Sequence, residues 1–206
     1  MIEVCRAVQY LYAHRRLHLD LKPNNILVEV LGGRLHPVLL DFGISQKYAP
    51  SRPIDFSRLG QGTAPYQAPE QLDPNGNGPT PRTDVHALGV ILFELLTNQS
   101  PHGRGTADEL RDRICGGPRV KLQEANPNRD RELGEIVDRA IAIKPNDRYE
   151  SASVLEAALS KWLQSSAPYS SRKDYLQGAK VINQTVINSE KVVVQQGSVE
   201  VLNIQM

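Results

Sequence analysis

Residues 83–97 carry the strongest constraint on what this chain can fold into. Val85, Leu88, Ile91, Leu92, Leu95 and Leu96 recur at helical spacing but cover more than one face. A helix that is apolar on several sides needs other elements around it. The stretch is therefore expected to be a central buried helix, with Thr83 as its N-cap ahead of Asp84. Residues 2–13 read as an amphipathic helix, with Val4, Val8, Leu11 and Tyr12 in one stripe and Glu3, Arg6 and Gln9 between them. Residues 132–143 and 151–163 read as two more, split by Lys144-Pro145-Asn146-Asp147-Arg148, and a shorter helix ends near Gly116-Gly117. Two apolar runs, 26–30 and 37–40, flank Gly32-Gly33 and read as a β-hairpin. Residues 41–70 are loop-like. The expected fold class is mainly α, in the α+β sense: a helical bundle with one small hairpin at its front.

The composition changes after Trp162. A Ser-rich linker follows, and residues 179–206 lack proline and alternate apolar with polar side chains over 181–187 and 199–204. A β-rich or partly disordered tail is expected there, with a turn at Gln196-Gly197. Low charge and absent proline would let it pair edge to edge with other copies. The division that follows is 1–164 for the main domain, 165–178 for the linker and 179–206 for the tail. The formal net charge is +1, so no global field points to nucleic acid or an anionic membrane as partner. No apolar run is long enough to span a bilayer, and the first residues are not a basic region followed by an apolar core. A cytoplasmic address is expected. Cys5 and Cys115 lie in no C-x-x-C or Cys/His cluster and read as reduced thiols.

The chemistry concentrates in His18-Leu19-Asp20-Leu21-Lys22-Pro23-Asn24-Asn25, followed sixteen positions after Asn25 by Asp41-Phe42-Gly43. Three further segments come in order: Gly62-Thr63-Ala64-Pro65-Tyr66-Gln67-Ala68-Pro69-Glu70, Asp84-Val85-His86-Ala87-Leu88-Gly89, and Pro145-Asn146-Asp147-Arg148. A single tripeptide such as D-F-G is a weak signal. The five together, in this order, resemble the catalytic loop, magnesium-binding motif, activation-segment end, central helix and late arginine of serine/threonine protein kinases over residues 1–164.

That resemblance implies the C-terminal lobe of a kinase domain, with ATP and Mg2+ as cofactors and a protein Ser/Thr hydroxyl as acceptor. Asp20 would accept the proton of that hydroxyl, and Lys22 would steady the γ-phosphate. Lysine at this position goes with serine/threonine rather than tyrosine specificity. Asn25 and Asp41 would hold magnesium through hard oxygens. Thr63 would help shape the acceptor site. The implied structural residues are His18, Phe42, Gly43, Asp84, which ties the catalytic loop to the central helix, and a buried Glu70–Arg148 ion pair.

Two features depart from the family pattern. No G-x-G-x-x-G and no strand lysine of the V-A-I-K kind occurs in the 206 residues, and only seventeen precede His18. The nucleotide-gripping N-terminal lobe is therefore expected to be missing. The origin would be a gene fragment, a misplaced start or a lobe completed by another polypeptide. This chain alone is expected to bind ATP weakly and turn over slowly. A second reading is a pseudokinase-like module that binds a partner without catalysis. Leu19 stands where members switched by loop phosphorylation carry arginine. Ser45, Ser51, Ser57 and Thr63 are therefore not expected to act through it.

Overall fold

The computed structural model describes residues 1–31, 34–41, 46–47, 64–73, 78–166, 191–195 and 198–202. The elements, in order, are α1 (Ile2–Ala13), β1 (Arg16–Leu17), a 3-10 turn at Pro23–Asn25, β2 (Ile26–Leu31), β3 (Arg34–Leu39) and β4 (Gln46–Lys47). After them come a 3-10 turn at Ala64–Tyr66, α2 (Pro69–Leu72), α3 (Pro81–Thr97), α4 (Ala107–Cys115), α5 (Leu122–Ala125) and α6 (Arg131–Ala140). A 3-10 turn at Pro145–Asp147, α7 (Ala152–Ser166), β5 (Lys191–Gln195) and β6 (Ser198–Leu202) complete the described chain. The protein is mainly helical with a small antiparallel sheet.

Helix α3 is central, as its apolar pattern requires. Every residue from Thr83 to Phe93 is buried. Its core neighbours are the apolar faces of α1 (Val4, Val8), α6 (Val137, Ala140) and α7 (Leu155, Leu159). Full burial of each valine or leucine in this set contributes about 1.5–3 kcal/mol.

The start of α3 differs from the sequence expectation. The N-cap is Thr80, whose hydroxyl accepts from the Arg82 N–H at 3.3 Å. Pro81 is the first helical residue, where its fixed φ suits a helix start. Thr83 lies inside the first turn. Its hydroxyl accepts from the Thr80 N–H at 3.0 Å and donates to Glu70 Oε1 at 2.8 Å. A proline ahead of a threonine displaced the cap by three positions. The far end closes at Asn98, in the left-handed region at φ 57°.

One side chain joins α6 to α7. Asp130 caps α6 by accepting from the Leu133 N–H at 3.0 Å, and the same Oδ1 accepts from the Trp162 indole at 2.9 Å. Cys5 is buried and Cys115 exposed, with no disulfide between them. Burial pushes the Cys5 thiol up to about 12.

Strands β2 and β3 form the expected hairpin, in register from Ile26 opposite Leu39 to Leu31 opposite Arg34. β5 pairs with β3 at Val38↔Val193 and Leu39↔Val192, and β6 pairs with β5. The sheet order is thus β2-β3-β5-β6. Residues 181–187 lie outside the described residues. β1 and β4 make a separate two-stranded pair that delivers the chain to His18. Among the described residues, no helix is long and apolar enough to cross a membrane.

Gly89 sets the closeness of α3 to the end of α6. A Cβ there would sit 2.7 Å from the Ile141 Cγ2 and 2.8 Å from the Ala140 Cβ. Gly89→Ala is expected to destabilise the fold by about 1–3 kcal/mol through overpacking. Urea denaturation checks this; an unchanged midpoint would show that the helices part at no cost.

Candidate active site

The 18–25 loop is fastened to α3 by Asp84. The buried Asp84 carboxylate accepts from the His18 N–H through Oδ2 and from the Leu19 N–H through Oδ1, both at 2.9 Å. Burial pushes the Asp84 carboxyl up, and the two backbone donors and His18 oppose that rise. Leu19 takes φ 66°, a left-handed conformation that costs a leucine about 1–2 kcal/mol. It is held there from both sides. Asp84 takes its N–H, and Gln71 Nε2 donates to its carbonyl at 2.9 Å. The other end of the Gln71 amide accepts from the Ala68 N–H at 2.9 Å.

His18 lies beneath the loop, fully buried. Its Nδ1 accepts from the Asp20 N–H at 3.4 Å, which leaves Nε2 to carry the hydrogen and donate to the Leu40 carbonyl at 3.3 Å. Burial lowers the basicity of the ring, so this neutral tautomer is the one present near neutral pH. Asp84, Asp20 and Asp41 all act electrostatically on this ring. Asp20 and Asp41, twenty-one positions apart in sequence, are thus both within electrostatic range of the same buried ring.

Asp20, Lys22 and Asn25 close around a single oxygen. Lys22 Nζ donates to Asp20 Oδ2 at 2.8 Å, and Asn25 Nδ2 donates to the same Oδ2 at 3.2 Å and to the Asp20 carbonyl at 2.8 Å. The amide nitrogen of Asn25 is thus turned toward Asp20, which aims its oxygen the other way. The Asn25 carbonyl accepts from the Leu40 N–H at 2.9 Å, so Asp41 follows a residue bonded directly to Asn25. Asp41 is exposed, at φ 59°. The Asn25 amide oxygen and the exposed Asp41 carboxylate, on segments joined by that backbone bond, are hard oxygen donors of the kind that suits a small cation such as Mg2+.

Glu70 and Arg148 form the expected buried pair. It is bidentate, with Nη1 to Oε1 at 2.8 Å and Nη2 to Oε2 at 2.9 Å. The guanidinium also donates to the carbonyls of Ala142 at 2.6 Å, Arg82 at 3.0 Å and Ile143 at 2.8 Å, which satisfies all five of its N–H groups. Thr63, Phe42 and Gly43 lie outside the described residues.

Sequence reasoning did not single out Gln71 or the Tyr66–Glu94 pair. The Tyr66 hydroxyl donates to Glu94 Oε2 at 2.8 Å, and burial together with this bond pushes the phenol well above its usual value. A glutamine three positions after Ala68, at the start of a helix, was the one readable signal for Gln71.

The family model described as protein kinase domain matches residues 1–163. The chain belongs to the protein kinase family. Among curated relatives, it is 32% identical over 181 residues to the serine/threonine-protein kinase PknD of Protochlamydia amoebophila, covering 79% of this chain and 18% of the relative. It is 33% identical over 147 residues to PkaA of Streptomyces coelicolor, covering 71% and 26%. It is 34% identical over 187 residues to Pkn1 of Myxococcus xanthus, covering 90% and 27%. The chain therefore spans from just under a fifth to a little over a quarter of the length of these serine/threonine-protein kinases.

Arg148→Ala is expected to cost about 3–5 kcal/mol, because it leaves Glu70 charged and unpaired in the interior. Chemical denaturation of the two proteins side by side measures the difference. A loss below about 1 kcal/mol would mean that water reaches the pair and that the ion pair is dispensable.

Proposed function

We propose that residues 1–164 are the C-terminal lobe of a serine/threonine protein kinase and that the 18–41 region moves the γ-phosphate of ATP to a protein hydroxyl. Residues 165–178 then serve as a linker and 179–206 as an appended β-rich tail. The carrying observation is the convergence of Lys22 and Asn25 on one carboxylate oxygen of Asp20.

Asp20 is the proton acceptor in this reading. Two donors hold its carboxylate in one orientation, which removes the need to order it when the acceptor hydroxyl arrives. Lys22, two residues on and paired with Asp20, supplies a cation for the transferring phosphoryl group. Asn25 and Asp41 would hold Mg2+, whose chemistry when bound is to neutralise phosphate charge. His18 is a positioning residue: its Nδ1 takes the Asp20 N–H and its Nε2 holds the Leu40 carbonyl just before Asp41. Thr63 belongs to the acceptor side of this reading, and Phe42 and Gly43 to the packing and turn after Asp41. A cytoplasmic setting and a protein partner bearing Ser or Thr complete it.

The 206 residues hold no Gly-rich loop and no matching strand lysine. This observation favours slow turnover by the chain on its own. Leu19, in place of the arginine of members switched by loop phosphorylation, favours a second reading, a pseudokinase-like lobe that binds a partner. Completion by a separate polypeptide carrying the nucleotide-gripping lobe agrees with both.

Nucleotide binding separates these readings. Calorimetry of the 206-residue chain with ATP is expected to show weak binding that requires Mg2+ and is abolished in Asp41→Ala. ATP binding indifferent to both would overturn the assignment of Asp41. In a phosphate-transfer assay, Asp20→Ala is expected to lower whatever rate the intact chain shows by about 10²–10⁴-fold. An unchanged rate would remove Asp20 from the chemistry.

A further inference from the structure

Two histidines outside the catalytic region have no role in the proposed chemistry. His86 on α3 is 1% exposed and His102, on the loop after α3, is 4% exposed. Their rings stack with centroids 6.0 Å apart and an interplanar angle of 18°. Among the described residues, Nδ1 of His86 and both ring nitrogens of His102 find no hydrogen-bond partner, and the other nitrogen of His86 meets the backbone of Tyr66. Buried polar atoms are rarely left in this state, so each instance calls for a reason.

The surroundings supply only positive charge. Arg148 and Arg119 act on His86, and Arg119 and Arg113 act on His102. Among the described residues, no carboxylate acts on either ring. Glu70 is engaged with Arg148. The other two guanidiniums are anchored on backbone carbonyls, Arg119 on Ile141 and Asp138 and Arg113 on Glu109 and Arg104. They cannot turn away without giving up those bonds. A cationic metal would face the same three guanidiniums, so the pair is poorly suited to hold one.

We propose that His86 and His102 form an acid-sensitive latch, in which two neutral, stacked imidazoles keep the 98–121 segment on α3 and proton uptake releases it. The released piece has natural limits. Asn98 at φ 57° and Gly103 at φ 70° mark its first bends, and the Val120 N–H bonds the Pro101 carbonyl at 2.9 Å to close its base. One imidazolium in this place would face the second ring and the charge of two guanidiniums, with no carboxylate among the described residues to offset it. Opening the segment hydrates it. The effect reaches the candidate site, because His86 holds the Tyr66 backbone and the Tyr66 segment leads to Gln71, which holds Leu19. The latch stands independently of the phosphotransfer reading, since its readout is exposure of backbone.

The sign follows from which state binds protons better. Burial lowers His102 from 6.5 to about 4 and lowers His86 well below its usual value. The open state therefore takes up protons first. The latch holds fully above pH 6.5 and weakens as pH falls toward 4. Each imidazole changes the opening constant about tenfold per pH unit in that window, so the pair changes it about a hundredfold. His18 is also buried and lowered, but it lies on the catalytic loop and titrates alike in wild type and latch variants.

Hydrogen exchange followed by mass spectrometry on the 206-residue chain, corrected for intrinsic exchange, tests this between pH 7.5 and 5. Peptides within 98–121 are expected to lose protection by about a hundredfold from pH 6 to pH 5, while α7 peptides lose much less. His102→Phe removes two unpartnered nitrogens and one proton, so it should fold and reduce the loss to about tenfold. His86→Phe/His102→Phe should flatten it. Equal protection of 98–121 at both pH values would overturn the latch. So would an undiminished pH response in His102→Phe, or simultaneous loss across 98–121 and α7, which would indicate global unfolding.

Discussion

The buried Asp84 carboxylate holding two consecutive backbone N–H groups is the interaction on which the site depends. Those two bonds attach an otherwise polar loop to the most deeply packed helix of the molecule. They also fix Leu19 in a conformation its side chain disfavours, and that reversal of the backbone sets the direction in which Asp20 leaves the loop. The positions of Lys22 and Asn25 follow, because both are bonded to Asp20. Asp41 follows in turn, through the bond between Leu40 and Asn25. A chain of short-range contacts thus carries the rigidity of α3 out to the candidate metal ligands, where positioning is the principal demand of phosphoryl transfer.

A second buried charge supports the opposite side of the same helix. Arg148 satisfies three backbone carbonyls besides Glu70, and one of them, on Arg82, lies in the first turn of α3. Glu70 is also bonded to Thr83, so α2, α3 and the 142–148 segment share one polar knot inside an apolar core. Full pairing makes such a knot tolerable, and the loss of one member makes it costly. The His86–His102 pair lies close to this knot but has the reverse character: it is buried and carries no counter-charge. The same core therefore contains one polar cluster that resists change and one that is sensitive to protons.

Much of this was legible in the sequence because it is local or periodic. The apolar repeat in 83–97 announced a central helix, and Gly32-Gly33 between two apolar runs announced the β2–β3 hairpin. The five-residue span from Asp20 to Asn25 is short enough for side chains to meet whatever the rest of the chain does. The pairing of Glu70 with Arg148, seventy-eight positions apart, came from family likeness, since nothing local encodes it. Thr83 offers the same capping chemistry as Thr80, and only Pro81, suited to the first helical position, distinguishes the two in sequence. Gln71 and the two stacked histidines were illegible for a different reason. Their partners are far away in sequence, and a lone Gln or His has no periodic signature that separates a buried role from an exposed one.

The central claim is that Asp84 holds Asn25 and Asp41 together as one oxygen site for a nucleotide-bound cation. Paramagnetic broadening by Mn2+–ATP, read from the Asn25 side-chain amide and the Asp41 backbone amide, tests it in wild type and in Asp84→Ala. Both signals should broaden together in the wild-type chain and lose that response in Asp84→Ala while the α7 resonances stay native. Absence of broadening at either residue in the wild type, or equal broadening in both proteins, would contradict the account.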